Sequence, residues 1–491
     1  MSSRADRRLL GLVIAAAVAL RAYPWTQPHT LLGVMEVDDG VYYGAAKMLL
    51  HGLVPYRDFV IVHPPLTSVL LLPFAALGSA YGDPAGLASA RVALLVVGIA
   101  NVLLVHRLAL RLPVARPREV ALAAAALYAV MPDAVVAEHT VLLEPLVNLF
   151  CLLAVLCLLR RATRRWALIA GVLLVAGCGV KLFAGVYVLG VLAWLLVSRR
   201  RDQLLGVVAG LVLGTAVLIL PFLVLAPSAL LRDVVVTQLS RPADNTAGGL
   251  VYLLDQLLPH LLSLLVLLAL LAAVIQAGRV VERRHPGSPD SLWVIVAGLG
   301  LVAFATSASY FPHYTAFLVP PFGLLLAQVV ARGGTGRLAM ALLVAGFTVA
   351  SVLDDGGYVG QRDLRQAGAK VPAGSCVFYE AISKAIAADV LALPSKTCPS
   401  WVDGRGVALT QSTDWPKGED FYPAGFLADR QWQRDNLMQV QHADFLLIDK
   451  GPRAIKEWTP EVQEYAATHF RQVWSEHNGK VGAELWKRLP D

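Results

Sequence analysis

Two adjacent carboxylates, Asp38 and Asp39 in the stretch DDGVYY, are the first residues of this chain whose types could do chemistry. An acid beside hydrocarbon is costly unless hydrated or paired, so its presence there points to function. The plainer alternative is a solvated loop whose acids start the helix suggested by VYYGAAKMLLHG, with Asp38 at or near its cap and Gly52 as its stop. Glu138, Glu144 and Lys181 each end an apolar run. Acids and a cation gathered at membrane level suit a phosphorylated lipid.

These residues need a membrane scaffold to place them. The chain has 491 residues, 57% hydrophobic and 16% charged, with a mean hydropathy of +0.61, far above a soluble domain. Apolar windows long enough for about 30 Å of hydrocarbon begin near residues 9, 85, 119, 144, 166, 182, 205, 256, 291, 315 and 338, so about eleven spans are expected of a polytopic α-helical membrane protein. The N-terminal Arg4, Arg7 and Arg8 precede an uncleaved first span. The net charge of +7 sits largely in short basic loops, among them Arg160/Arg161/Arg164/Arg165 and Arg199/Arg200/Arg201. It is therefore a topology signal rather than a nucleic-acid footprint.

The positive-inside rule puts the N-terminus in the cytoplasm and the carboxylates outside. The expected plan is a membrane domain over 1–353, with a first external loop at 24–84, and an exported α/β domain over 354–491. In the latter, SCVFYE and ADFLLIDK read as buried strands and PEVQEYAATHF as a helix. Cys376 and Cys398 lie in this exported part, where a disulfide persists; two separate thiols are the alternative. Cys151, Cys157 and Cys178 lie in apolar segments and read as packing residues.

The segment DDGVYYGAAKMLLHGLVPYRDFVIVHPPL resembles the first external loop of GT-C fold glycosyltransferases, in the branch of the protein O-mannosyltransferases and the aminoarabinose transferases of lipid A. That branch has an acidic pair, a Tyr, an Ala-rich helix and a basic residue before Pro-Pro. The resemblance implies a polyprenyl-phosphate-sugar donor and transfer on the external face. It gives Asp38 the role of general base and Asp39 a role in orienting the acceptor or the loop, with Tyr42 beside the substrate. His63 stands where relatives have Lys near the lipid phosphate, and could instead simply begin a helix. Lys181 resembles a donor-phosphate lysine, snorkelling being its alternative. Glu144 matches an acidic position before Pro that can meet a metal or the sugar, and Glu138 and His139 fall in the same loop. Arg241, His313 and Tyr314 are weaker phosphate candidates that could equally be a solvated Arg and an interfacial anchor.

The resulting expectation is an inverting glycosyltransferase of the cell membrane, moving arabinofuranose or mannose from a polyprenyl-phosphate to an exported glycan, lipid or protein. No nucleotide is needed on the external side; a divalent metal is compatible, although Glu144 with His139 is too small a set to define its site. The rival from another class is a transporter or flippase of a lipid-linked saccharide, which would tend to show related halves.

Overall fold

The structure is a computed structural model that describes residues 4–241, 278, 287–307, 311–353, 363–411, 422–478 and 481–490. Its chain contacts divide into two compact units that interleave along the sequence: 1–23, 93–221 and 247–356 form the first, and 24–92, 222–246 and 357–491 the second. The span expected near 256 and the boundary at 354 lie outside the described residues.

The first unit is helical because its segments are apolar runs with few internal breakers. It contains α1 (Arg4–Ala22), α6 (Pro117–Val130), α7 (Pro132–Glu138), α8 (Glu144–Arg160), α9 (Arg164–Val180), α10 (Gly185–Val197) and α11 (Arg201–Gly214), with further helices at Pro289–Ala305 and Gly334–Leu353. Glycines bring α9 and α11 together: a Cβ on Gly171 would stand 2.3 Å from the Val207 carbonyl oxygen. Without lipid-driven hydrophobic force between helices, such close backbone approach supplies the packing.

Four described helices are long and apolar enough to cross a membrane: Arg4–Thr26, Asp83–Ala109, Arg201–Leu225 and Gly334–Leu353. The pair α6 and α7 makes a fifth if read as one span bent by 61°. The bend has a local cause, since Pro132 lacks an N–H and forces Met131 into an extended conformation, ψ 121°. Several windows expected to span, including α8 and α9, are helices of 17 residues.

In the second unit α2 (Val37–Leu50) packs against α3 (Leu66–Leu70) and α4 (Leu72–Tyr81) and against the helix Ile382–Ala387 of the C-terminal part. Gly40 and Gly44 permit that last contact, because a Cβ would meet Ser383 Cα at 2.6 Å and Ile382 Cδ1 at 2.3 Å. The other face of α2 is anchored by Asp83, which accepts from Tyr43 Oη at 3.0 Å and pairs with Lys47.

The C-terminal part is a mixed sheet of order β1-β2-β4-β3. β1 (Val377–Tyr379) and β2 (Phe445–Ile448) are parallel, fully buried and uniformly apolar, as strands covered on both faces should be. β3 (Phe470–Asn478) and β4 (Val481–Arg488) are antiparallel neighbours. Trp432, Trp458, Phe378 and Phe470 fill the core beside the sheet. Cys376 and Cys398 form a disulfide, Cα atoms 5.3 Å apart.

Candidate active site

The start of α2 presents the two carboxylates in different ways. Glu36 is the N-cap: its backbone is extended and its carboxylate accepts from Val37 N at 3.0 Å. The cap therefore falls two residues before Asp38, which leaves both aspartates in the first turn, where the helix dipole favours negative charge. Asp39 is fully buried, and its Oδ2 accepts from Arg91 Nη2 at 2.5 Å and Nε at 3.1 Å. Arg91 also donates to the carbonyls of Thr30 and Leu31, tying the turn before α2 to α5 (Asp83–Ala109). Asp38 is only half-buried.

One turn along the same face, Tyr42 Oη donates to Asp38 Oδ2 at a long 3.5 Å. The same hydroxyl lies 3.3 Å from His63 Nε2, with the two rings edge to face. His63 follows a clamped stretch of backbone. Tyr56 Oη donates to the His63 carbonyl at 2.6 Å, Gln238 Nε2 donates to the Val62 carbonyl at 3.0 Å, and Val62 N donates to Asp403 Oδ2 at 3.5 Å. Burial and then the charge of Asp38 push the Glu36 carboxyl up to about 7. Arg241 lies near enough for its charge to act on Asp403. Asp38, Tyr42 and His63, expected in the base, substrate and phosphate roles, thus meet in one cluster.

A second cluster lies in the first unit. Lys181 closes α9 as the helix breaks before Leu182, and its Nζ donates to Glu144 Oε1 at 2.5 Å. The ammonium sits 3.7 Å from the centre of the Tyr314 ring, a cation–π contact. Phe183, Phe304 and Phe317 complete the walls of a pocket that Glu144, Lys181 and Tyr314 line, and His313 packs edge-on against Tyr314. Glu144 Oε2 is buried with no protein partner among the described residues.

Glu138 stands elsewhere in the first unit. Its Oε2 accepts from Arg21 Nε at 2.7 Å, and its Oε1 accepts from Tyr128 Oη at 2.7 Å and Asn101 Nδ2 at 3.2 Å. Asn148 extends the network from Tyr128 Oη to the carbonyl of Ala316. Both Glu138 oxygens are engaged by protein, and His139 is buried immediately beyond α7. Among the described residues no three His, Cys, Asp or Glu are grouped so as to hold a metal ion.

Arg21, Arg91, Asn148 and Asp403 went unnoticed in the sequence. For Arg91 a signal existed, a charge within the apolar run of α5, and for Arg21 a charge closing the apolar run of α1. For Asp403 there was only the turn sequence VDGRG.

Residues 62–226 match the family model of the dolichyl-phosphate-mannose-protein mannosyltransferases. Among solved structures, ArnT from Cupriavidus metallidurans bound to undecaprenyl phosphate aligns with a TM-score of 0.59 at 14% identity, over 97% of each chain. The oligosaccharyltransferase AglB from Archaeoglobus fulgidus, in complex with an inhibitory peptide and a dolichol-phosphate, aligns with a TM-score of 0.58 at 14% identity, over 98% of this chain and 74% of its own. No curated protein sequence matches. The fold is of GT-C kind, and the matched third of the chain is similar to a family of membrane glycosyltransferases that use a lipid-phosphate-linked sugar.

Proposed function

We propose that this enzyme transfers a single sugar, with inversion, from a polyprenyl-phosphate to a hydroxyl of an exported acceptor, and that Asp38 is its general base. The observation that carries the assignment is the contrast between the two aspartates. Asp39 is fully buried with its Oδ2 committed to Arg91, whereas Asp38 is half-buried and, among the described residues, meets protein through one long hydrogen bond from Tyr42. In the reaction the acceptor oxygen attacks the anomeric carbon and the bond from that carbon to the phosphate oxygen breaks. The acceptor proton passes to Asp38, and polyprenyl phosphate leaves with the bonding pair.

Lys181 is the cation proposed for the lipid phosphate. Glu144 and the Tyr314 ring hold its ammonium in place, so its position costs little ordering when a phosphate arrives. Glu144 Oε2 is available to accept from a sugar hydroxyl. The polyprenyl phosphates in the ArnT and AglB structures support a donor of this class. The description of the matching family model names mannose, which makes it the first sugar to test; arabinofuranose is the second. Basic loops shared with the N-terminus support a cytoplasmic N-terminus and an external C-terminal part.

The test is product formation by purified protein from radiolabelled polyprenyl-phospho-mannose and polyprenyl-phospho-arabinofuranose, with envelope glycans, lipids and peptides as acceptors. Transfer from either donor supports the reading. Lipid-linked saccharide crossing a vesicle membrane unchanged would replace it with transport.

A further inference from the structure

We infer that Asp403, from the C-terminal part of the chain, is a positioning residue for the Asp38 cluster: it holds the Val62 peptide and thereby sets His63 and Tyr42 against the proposed base. The functional half of this inference rests on the transferase reading; the structural half does not.

Asp403 starts the helix Gly404–Gln411. Its Oδ1 accepts from Gly406 N at 2.6 Å, the usual task of an aspartate at a helix start. That task occupies one oxygen. The other, Oδ2, reaches across 341 positions of sequence to Val62 N. The Val62–His63 backbone is then held from three directions, by Asp403 at the Val62 amide, Gln238 at the Val62 carbonyl and Tyr56 at the His63 carbonyl. Three side chains from separate stretches converging on two peptide units fix a short loop that has no helix or strand to do so.

His63 leaves that clamped backbone to meet Tyr42 Oη, which in turn meets Asp38 Oδ2. Both of these contacts are long, 3.3 and 3.5 Å, as is the 3.5 Å hydrogen bond from Val62 N to Asp403, and hydrogen bonds weaken steeply with distance and angle. Small displacements of the Val62 peptide therefore matter to them.

Asp403 is nearly fully buried. Burial, with a further contribution from the charge of Asp38, pushes its carboxyl up to about 6, against the lowering effects of the Gly406 and Val62 amides and of Arg241. A buried acid that feels the charge of Asp38 is an expensive choice for a helix cap, a role that Ser or Asn fills as well. A second use for its remaining oxygen accounts for that choice. The C-terminal part is on this view integral to the catalytic cluster rather than an appended binding module.

Asp403→Asn separates the two tasks. The amide oxygen can still cap Gly406, but the amide NH2 then faces the Val62 N–H, donor against donor. Asp403→Ser also keeps a capping hydroxyl and is too short to reach Val62, so it serves if the Asn variant folds poorly. The first readout is hydrogen–deuterium exchange of the full-length protein in detergent. The peptide covering residues 59–63 should exchange about tenfold faster in either variant, while peptides of β2 and of Gly404–Gln411 exchange as in wild type. Unchanged exchange at 59–63 overturns the positioning role.

The second readout is kinetic. Asp403→Asn should lower kcat about tenfold with both KM values within about twofold, and the loss should not add to that of Tyr42→Phe, because the two act along one line of contacts. Fully additive losses overturn the inference. If wild type transfers no sugar from any polyprenyl-phosphate donor, the transferase reading falls, and the exchange result still decides whether Asp403 holds the loop.

Discussion

Asp39 and Arg91 form an ion pair in which neither side chain is exposed, with Nη2 2.5 Å from Oδ2 across 52 positions of sequence. The pair separates two neighbouring carboxylates into one that is buried and ties the loop to α5 and one that is half-buried, the proposed base. Arg91→Met would strand Asp39 as an uncompensated buried carboxylate and should cost about 3–5 kcal/mol of stability. Asp38→Asn, at a half-exposed position, should change stability by no more than about 0.5 kcal/mol. Thermal unfolding of the purified variants compares them. Equal losses would mean that the two aspartates share one structural role.

Glu138, expected from the sequence to touch substrate, instead joins Arg21, Tyr128 and Asn101. Glu138→Ala should therefore lower stability by about 3–5 kcal/mol and leave the KM of whatever enzyme folds within about twofold of wild type. A stable variant with a large rise in donor KM would return Glu138 to the substrate.

Replacement of Lys181 by Met should raise the donor KM about tenfold, a loss on the order of 1.4 kcal/mol, with the acceptor KM nearly constant. Kinetics in which each substrate is varied separately decide it. If both constants hold and only the melting temperature falls, Lys181 serves Glu144 and Tyr314 as a brace.

The acids around α2 set a pH dependence. The carboxyl of Asp403 rises from the ordinary 3.8 to about 6 and that of Glu36 from 4.5 to about 7. Between each pair of values the folded protein holds more protons than the unfolded chain, so stability falls as pH rises through that window. The drop in melting temperature between about pH 4.5 and pH 7.5 should be smaller in Asp403→Asn than in wild type, because one of the two acids no longer titrates. An identical drop in both proteins would contradict the environment described for Asp403.

Much of this was written in the sequence, though unevenly. Helix α2 was legible from VYYGAAKMLLHG and its stop at Gly52, which adopts φ 85°; its cap was not, because the helix begins at Val37, with Glu36 as its N-cap, before the stretch that carries the pattern. Strands β1 and β2 were legible as unbroken apolar runs. The pair β3 and β4, FRQVWSEHN and VGAELWKR, was hidden because its polar residues interrupt any clean alternation. Of the two readings open for Cys376 and Cys398, 22 residues apart, the disulfide is the one the structure shows. Arg91 and Asp403 escaped because their partners are far off in sequence, and local pattern carries no information about which distant charge will arrive.

Single-turnover transfer from a radiolabelled polyprenyl-phosphate-sugar, run side by side with wild type and Asp38→Asn, tests the proposed catalytic centre most directly. Wild type should form a product of inverted anomeric configuration. Asp38→Asn, folded and binding donor normally, should form it at least about a hundredfold more slowly, the usual contribution of a positioned general base. Transfer by Asp38→Asn at close to the wild-type rate would contradict the assignment of Asp38 as the base.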